Sequence, residues 1–424
     1  MVNICGTTNS PHINANGDIL EVAVKMTQFD INQQFDRLLK SRCLAHSHIE
    51  SLIGIIVAFH SRTKTATESC FGDAVQTHLP VHQNYQQINS QDLSTEAKLQ
   101  IDRLLRWHNH LFSSLKDTIN TRKSNGFVRE CHGDLHLGNI AYFNNKVVIF
   151  DRLEFDENLR NIDVINEIAF LIMDIEACQR PDLANYCLNQ WLSLTGDYAS
   201  LHLLNYYKAY RSMVRAKVAL LGGSREQFKT YLELTERYAH AKQQALIFTH
   251  GLSGSGKSSI TQTLALELNA VIVRSDVERK RHFAEELNTI YNDDTTQKTY
   301  DILATACADI INSGLNAIID ATFLQQAHRQ QFIALARRLE CPCIILDFHA
   351  PTEQLEQWII ERNKRGNDVS DATVEVLHKQ IQSQEQLSAE ELRMAISIDT
   401  SHNIDVNALA NSVKKMTAQE KHPA

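Results

Sequence analysis

The sequence predicts a mainly helical first part followed by an α/β domain built on a doubly wound parallel sheet. Three observations support this fold class. Apolar residues recur at three- and four-residue spacing from about residue 28 to residue 244, which is typical of helices. From residue 245 onward, short apolar runs alternate with helical stretches, as in a parallel sheet covered by helices. The 424 residues include only 15 glycines and 6 prolines, which favours long helices over elaborate loops.

The first part contains two candidate strands, at Ile19–Met26 and Lys146–Asp151. Its helical periodicity is clearest in four runs, at Ile49–Phe59, Leu99–Leu115, Ile162–Ile175 and Leu201–Leu220. The pattern changes between about residues 222 and 245, so we expect two domains, at 1–240 and 245–424.

The second part shows a regular alternation of the two kinds of element. The predicted strands are Ala245–Thr249, Ala270–Val273, Ala317–Ile319, Cys343–Phe348 and Ala395–Ile398. The predicted helices lie at 257–268, 276–287, 297–312, 325–339, 352–363 and 371–386.

A glycine-rich loop follows the first of these strands and opens a helix. It fits the pattern G-x-x-x-x-G-K-[ST], in which successive backbone N–H groups converge on phosphates at a helix N-terminus. Lys257 is expected to bridge the β- and γ-phosphates of ATP, and Ser258 to bind Mg²⁺. The predicted nucleotide-binding residues are Gly251, Leu252, Ser253, Gly254, Ser255, Gly256, Lys257, Ser258 and Ser259.

Polar residues follow the next two strands, at the sheet edge where ligands of such folds bind. Asp276 is a candidate base for an attacking hydroxyl, with Arg279 one turn later to hold an anionic substrate. Asp320 is a candidate ligand of the acceptor or orienting group for the metal. The alternative for both aspartates is that they only cap the following helices.

Two arginines late in a helix, Arg362 and Arg365, share one face. Arginines from a lid can neutralise charge that develops on the γ-phosphate during transfer. The alternative is that they only complement the C-terminal end of their helix.

These motifs resemble the small P-loop kinases of the polynucleotide, gluconate and shikimate kinase type, and an AAA-like ATPase group sometimes fused to a phosphotransferase domain. In polynucleotide-kinase-like members, D-x-x-R after the second strand carries the catalytic base and an arginine, matched here by Asp276 and Arg279. Asp320 to Thr322 matches a further motif in part, and Arg362 to Gly366 resembles the lid.

The first part has a constellation of its own, from His132 to Asn139 and on to Asp151. Asp134 suits a residue that orients or deprotonates a hydroxyl, and Asn139 and Asp151 suit Mg²⁺ ligands.

This sequence, H-G-D-x-H-x-x-N followed by an aspartate, resembles the aminoglycoside phosphotransferase family, related to choline and protein kinases. The resemblance implies a kinase-like helical C-lobe (α+β), with Asp134 catalytic and Asn139 and Asp151 as metal ligands. It also implies that Asp163 and Glu167 steady the loop. The departure is that too few residues precede the helices for a complete nucleotide lobe, and Lys25 follows no glycine-rich hairpin.

Composition restricts the partners. The net charge is −8, and residues 245–424 hold 17 Lys and Arg against 24 Asp and Glu, which disfavours nucleic acid and anionic membranes. No apolar run approaches a membrane span, no signal-peptide pattern starts the chain, and the nine cysteines form no Cys-x-x-Cys pair. We therefore expect a cytoplasmic protein.

Together these patterns predict transfer of the γ-phosphate of Mg·ATP to a hydroxyl of a small molecule, mainly in the second domain. Two alternatives stay open: an ATP-hydrolysing regulatory protein without an acceptor, and a kinase of nucleic-acid 5′-hydroxyls. Stoichiometric phosphorylation of an acceptor would distinguish the small-molecule kinase from the first alternative. A steep salt dependence of binding would favour the second alternative.

Overall fold

The computed structural model describes residues 1–25, 28–240, 244–283, 293–365 and 372–419. The chain begins with a small antiparallel sheet in which β1 (Val2–Thr7) lies between β2 (Ser10–Ile13) and β3 (Ile19–Ala23). The predicted strand at Ile19–Met26 thus forms over its first five residues, and Met26 itself lies outside the described residues. Strands β1 and β2 were not predicted, because their mixed polar sequence shows no clear alternation.

Helices make up most of the first part, and the four predicted runs fall within them with one correction. Residues Asn161–Asp163 form strand β7, so the predicted run from Ile162 begins as a strand. The helix starts at Val164 because the Asp163 carboxylate accepts a hydrogen bond from the Ile165 N–H and caps it. The helices are α1 (Phe35–Lys40), α2 (His46–Arg62), α3 (Ala74–Asn89), α4 (Thr95–Ser124), α5 (Glu157–Arg160), α6 (Val164–Ala177), α7 (Pro181–Thr195), α8 (Leu201–Leu221) and α9 (Arg225–Ala239).

Short strands support the polar loop of this part. Strand β4 (Val128–Glu130) pairs with β7, and β5 (Ile140–Phe143) pairs with β6 (Lys146–Ile149). Asn144 and Asn145 form the two-residue turn between β5 and β6, and both have positive φ, as such hairpin turns require. The strand predicted at Lys146–Asp151 is therefore confirmed to Ile149.

Helix α6 lies at the centre of the first part. All twelve residues from Val164 to Ile175 are buried, and the helix packs on α7 and α8. Each fully buried isoleucine in it stabilises the fold by about 1.5–3 kcal/mol. The same helix also buries Asp174, which accepts a hydrogen bond from the Leu137 N–H at 3.0 Å, and Glu167, whose partners are described below.

The second part is a five-stranded, wholly parallel sheet in the order β12-β11-β8-β10-β9. The five predicted strands are confirmed to within one residue at each end. The observed strands are β8 (Leu246–His250), β9 (Ala270–Arg274), β10 (Asn316–Asp320), β11 (Cys343–His349) and β12 (Ala395–Asp399). Every residue of the central strand β8 is buried, because helices cover both faces of the sheet.

The six predicted helices of this part are present, although residues 284–287 and 371 lie outside the described residues. Two further helices, at Ala389–Arg393 and Val406–Gln419, were not predicted. The set is α10 (Lys257–Leu268), α11 (Ser275–Phe283), α12 (Asp293–Asn312), α13 (Gln326–Arg338), α14 (Thr352–Arg365), α15 (Val374–Ser383), α16 (Ala389–Arg393) and α17 (Val406–Gln419).

The two parts meet along edge strand β9. Asn185 and Asn189 of α7 both donate to the Ala270 carbonyl, at 3.0 and 2.9 Å, and Asn189 accepts from the Ile272 N–H at 2.8 Å. One apolar cluster contains buried residues from both parts. Within the described residues, no helix is both long and apolar enough to cross a bilayer.

Candidate nucleotide-binding site and a second polar loop

The glycine-rich loop joins β8 to α10 at the carboxyl edge of the sheet. Gly251 has φ 138°, and a Cβ there would fall 2.3 Å from the Phe348 carbonyl oxygen. A Cβ on Gly254 would fall 2.9 Å from the Ile359 side chain of α14. These glycines are therefore required by close approach of neighbouring segments, and the loop is held in a tight curve.

The Lys257 side chain turns back onto this loop. Its ammonium donates to the carbonyls of Gly251 and Leu252, at 2.9 and 2.6 Å, and to the Ser255 hydroxyl at 3.2 Å. Burial lowers the pKa of Lys257 to about 8, although the charges of Asp320 and Asp276 oppose this change. The lysine is thus a desolvated cation at the mouth of the loop.

Ser258 and Asp320 lie side by side. The Ser258 hydroxyl donates to an Asp320 carboxylate oxygen at 2.6 Å, and Arg274 approaches the same oxygen to 3.5 Å. Burial raises the pKa of Asp320, although the Ser258 hydrogen bond and the Arg274 and Lys257 charges oppose the rise. A hydroxyl and a carboxylate beside a phosphate loop are oxygen donors of the kind that Mg²⁺ prefers.

A cavity of about 1110 Å³ opens beside the loop and brings the predicted residues together. Lys257 and Ser258 line one wall, and Asp276 and Arg279 line another, where they form an ion pair of 3.3 Å. Helix α11 starts at Ser275, so Asp276 lies inside the first turn rather than in front of it.

The predicted lid arginines differ in what the structure describes. Arg362 lines the cavity and donates to the Ala372 carbonyl at 2.8 Å. The side chain of Arg365 lies outside the described residues, so its predicted role stays a prediction.

Several lining residues were missed at the sequence level. Tyr300 and His328 stack with ring centroids 3.8 Å apart, and Trp358 lies on the α14 side. Gln380 of α15 accepts a hydrogen bond from the Ser253 N–H at 2.9 Å, across 127 residues of chain. No local motif marks these residues, because only the tertiary fold brings them to the loop.

In the first part, the loop from His132 to Asn139 is organised around Asp134. The Asn139 amide donates to the Asp134 carbonyl at 3.0 Å and to its carboxylate at 3.2 Å. Burial would raise the pKa of Asp134, but the hydrogen bond and charge of His136, with the charge of Arg211, outweigh it and lower the pKa. Asp134 is therefore kept as a carboxylate.

Buried charged side chains bind the backbone of this loop. Glu167 of α6 accepts from the Gly133 N–H at 2.9 Å and pairs with His60 at 3.0 Å, while Arg211 donates to the Gly133 carbonyl at 3.0 Å. The Cys131 thiol lies near His60 and Glu167. Burial raises the pKa of this thiol well above its usual range, which favours the protonated thiol beside the His60–Glu167 pair.

Asp151 lies at the margin of this loop. The neighbour of Asp151, Phe150, donates its N–H to the Asn139 carbonyl at 3.0 Å, and its carbonyl lies 2.9 Å from a ring nitrogen of His132. Asp151 itself is exposed, with φ 62°, and Lys25 is exposed beyond the end of β3. The ligand roles of Asn139 and Asp151 stay predictions.

Comparison with known proteins adds to this geometry. Residues 246–387 match the family model of the AAA domain. This segment contains the glycine-rich loop and four of the five parallel strands, so the family match is to the P-loop region of the second part. The match covers a third of the chain and leaves out the loop around Asp134.

Proteins from Mycobacterium bovis and Mycobacterium tuberculosis are similar over most of the chain. They are 25% identical to it over 390 residues, which cover 85% of this chain and 75% of theirs, and they are described as uncharacterized. The second curated sequence from M. tuberculosis matches to the same extent.

Among solved structures, one similar chain is a gluconokinase from Sinorhizobium meliloti, with 16% identity and a TM-score of 0.34 over 42% of this chain and 98% of that one. Another is Chaetomium thermophilum Kti12 in complex with ADP-AlF3, with 14% identity and a TM-score of 0.34 over 41% and 98%. The APS kinase of M. tuberculosis, in complex with AMPPNP and APS, has 14% identity and a TM-score of 0.31 over 41% and 97%.

Proposed function

We propose that this protein is a kinase that transfers the γ-phosphoryl group of Mg·ATP to a hydroxyl of a small molecule in the cavity of its second domain, residues 245–424. The observation that carries the proposal is the shared cavity. The phosphate loop with Lys257 lines one side, and the Asp276–Arg279 pair lines another.

In this proposal the phosphate loop binds the triphosphate with its backbone N–H groups and the helix N-terminus. Lys257 leaves its loop carbonyls for the β- and γ-phosphate oxygens, which compensate the desolvated cation better than neutral carbonyls do. Ser258 and Asp320 would hold Mg²⁺, which neutralises charge on the phosphates when bound.

On the acceptor side, Asp276 would accept the proton of the attacking hydroxyl as the new P–O bond forms and the bond to ADP breaks. Arg279, paired with Asp276, would orient this carboxylate and the acceptor. Arg362 lies where it can compensate charge on the transferred group, and Arg365 follows one turn later on α14.

For the first domain, residues 1–240, we propose a phosphotransferase-like helical lobe around Asp134, Asn139 and Asp151 whose described residues do not form an adenine site. The small three-stranded sheet at its start supports this proposal, because it offers few buried residues for an adenine site.

The test is incubation of the full chain with γ-labelled ATP and a panel of small hydroxyl metabolites, aminoglycosides and oligonucleotides, with Lys257→Ala as the control. The proposal expects label in a small molecule, lost in the variant. Label only in inorganic phosphate would instead indicate a regulatory ATPase. Label in oligonucleotides, with binding that falls steeply as salt rises, would indicate a nucleic-acid kinase.

A further inference from the structure

Helix α11 presents two different faces. Asp276 and Arg279 are three residues apart and line the cavity. Glu278 and Arg281, also three apart, lie on another face and contact the first part of the chain. Contacts that hold the face with Glu278 and Arg281 therefore also fix the position of the face with Asp276 and Arg279.

Glu278 is 1% exposed, and a buried carboxylate is very costly unless it is bonded. The Tyr198 hydroxyl, from the connection between α7 and α8, donates to it at 2.9 Å. The Arg281 guanidinium binds Glu278 and donates to the Ser193 carbonyl of α7. A Cβ on Gly196 would fall 2.6 Å from an Arg281 nitrogen, so this corner fits closely around α11.

The corner that carries Tyr198 is itself held rigidly. Asp197 accepts two hydrogen bonds of 2.8 Å from Arg122, and the same guanidinium binds Asp163 at 2.7 and 2.9 Å. Asp163 caps α6, whose Glu167 holds the loop around Asp134. The hydroxyl of Tyr198 is thus placed by the buried framework of the first part.

We propose that Tyr198 and Glu278 are positioning residues that hold α11, so that the first part of the chain sets the geometry of the acceptor wall formed by Asp276 and Arg279. This inference rests on the proposed function. The phosphate loop does not share the dependence, because Lys257 and Ser258 take their polar contacts from residues of the second part.

The experiment compares full-length Tyr198→Phe with Tyr186→Phe. Tyr186 lies on α7 and donates its hydroxyl to Glu50, so the control removes a tyrosine hydrogen bond that does not reach α11. The first readout is basal hydrolysis of Mg·ATP, in which water takes the place of the acceptor. We expect kcat to fall roughly tenfold in Tyr198→Phe, the size expected for a lost hydrogen bond to a charged group, with KM for Mg·ATP unchanged.

A double-mutant cycle with Asp276→Asn tests whether Tyr198 acts through the acceptor wall. The loss from Tyr198→Phe should largely disappear when Asp276 is already replaced. Additive losses, or an equal rise in KM, would mean general destabilisation and would overturn the inference.

Hydrogen exchange gives a readout that does not need activity. Amides of α11 should exchange faster in Tyr198→Phe than in wild type or Tyr186→Phe, while those of α10 stay unchanged. Unchanged exchange in α11 overturns the inference. If Lys257→Ala retained wild-type hydrolysis, the proposed function would fail, and exchange would still decide whether Tyr198 holds α11.

Discussion

The cavity beside the glycine-rich loop and the loop around Asp134 use the same types of residue, but their surroundings differ. In the cavity, Asp276 and Asp320 face a backbone cradle with a desolvated lysine. In the first part, Asp134 is bonded by its own loop and Asp151 is exposed. On the proposed function, carboxylates alone would therefore not make a phosphoryl-transfer site. The cradle that would bind phosphate away from water is expected to supply the larger share of the stabilisation.

The largest effect is expected from the lysine of the cradle. Lys257→Ala removes the positive charge that is proposed to bind the β- and γ-phosphate oxygens, and it should lower ATP turnover by roughly 10²-fold or more. Steady-state ADP release measures it. Lys25→Ala, at the exposed lysine of the first part, is the matched control and should leave turnover unchanged. Wild-type turnover in Lys257→Ala would place the chemistry elsewhere.

A smaller loss, confined to transfer, is expected at the acceptor wall. Asp276→Asn removes the proposed base and should lower transfer by roughly 10²-fold. Nucleotide affinity, measured by calorimetry, should stay near wild type because the loop is intact. Near-normal transfer by the Asn variant would show that the Asp276 carboxylate is not the base and would contradict the proposal.

The pKa of Lys257 predicts a pH dependence for nucleotide binding. Because burial lowers the pKa of Lys257 to about 8, the free protein loses this charge as pH rises from about 7 to about 9, and binding then increasingly requires proton uptake. Affinity for Mg·ATP should fall about tenfold between about pH 7 and about pH 9. Calorimetric titration across this range checks it. Lys257→Arg should flatten the profile, and an unchanged profile in that variant would assign the pH dependence to another group.

The smallest effects are expected in the loop around Asp134. Asp134→Asn and Asp151→Asn should each leave ATP turnover within about twofold, because neither residue belongs to the cradle. Calorimetry on full-length Lys257→Ala then tests the first part alone, where micromolar binding of Mg·ATP should be absent. Binding that persists there and is abolished by Lys25→Ala would show that the first part has a working nucleotide site.

The sequence is most informative where local pattern and fold coincide. The five strands of the second part were predicted to within one residue, because each is a short, largely apolar run between helices. Burial is greatest in β8, β10 and β11, at the centre of the sheet. The glycine-rich loop was predicted from the spacing of Gly251, Gly256, Lys257 and Ser258. The structure explains the first of these glycines, because close approach at Gly251 leaves no room for a side chain.

Contacts between residues that are distant in sequence could not be predicted from local sequence patterns. The hydrogen bond from the Ser253 N–H to Gln380 and the one from the Tyr198 hydroxyl to Glu278 join residues far apart in sequence. The three-residue strands β4 and β7 are too short for a periodicity and exist because they pair with each other. The helical run was predicted from Ile162, but α6 begins at Val164. A local pattern does not show whether Asp163 caps the helix or is its first residue.

The two asparagines of α7 have a consequence for the production of shortened forms of this protein. Because Asn185 and Asn189 occupy backbone groups of β9, a chain reduced to residues 245–424 would present a bare strand edge to its neighbours in solution. Such edges recruit strands from other molecules. The separated nucleotide-binding half should therefore self-associate as its concentration rises.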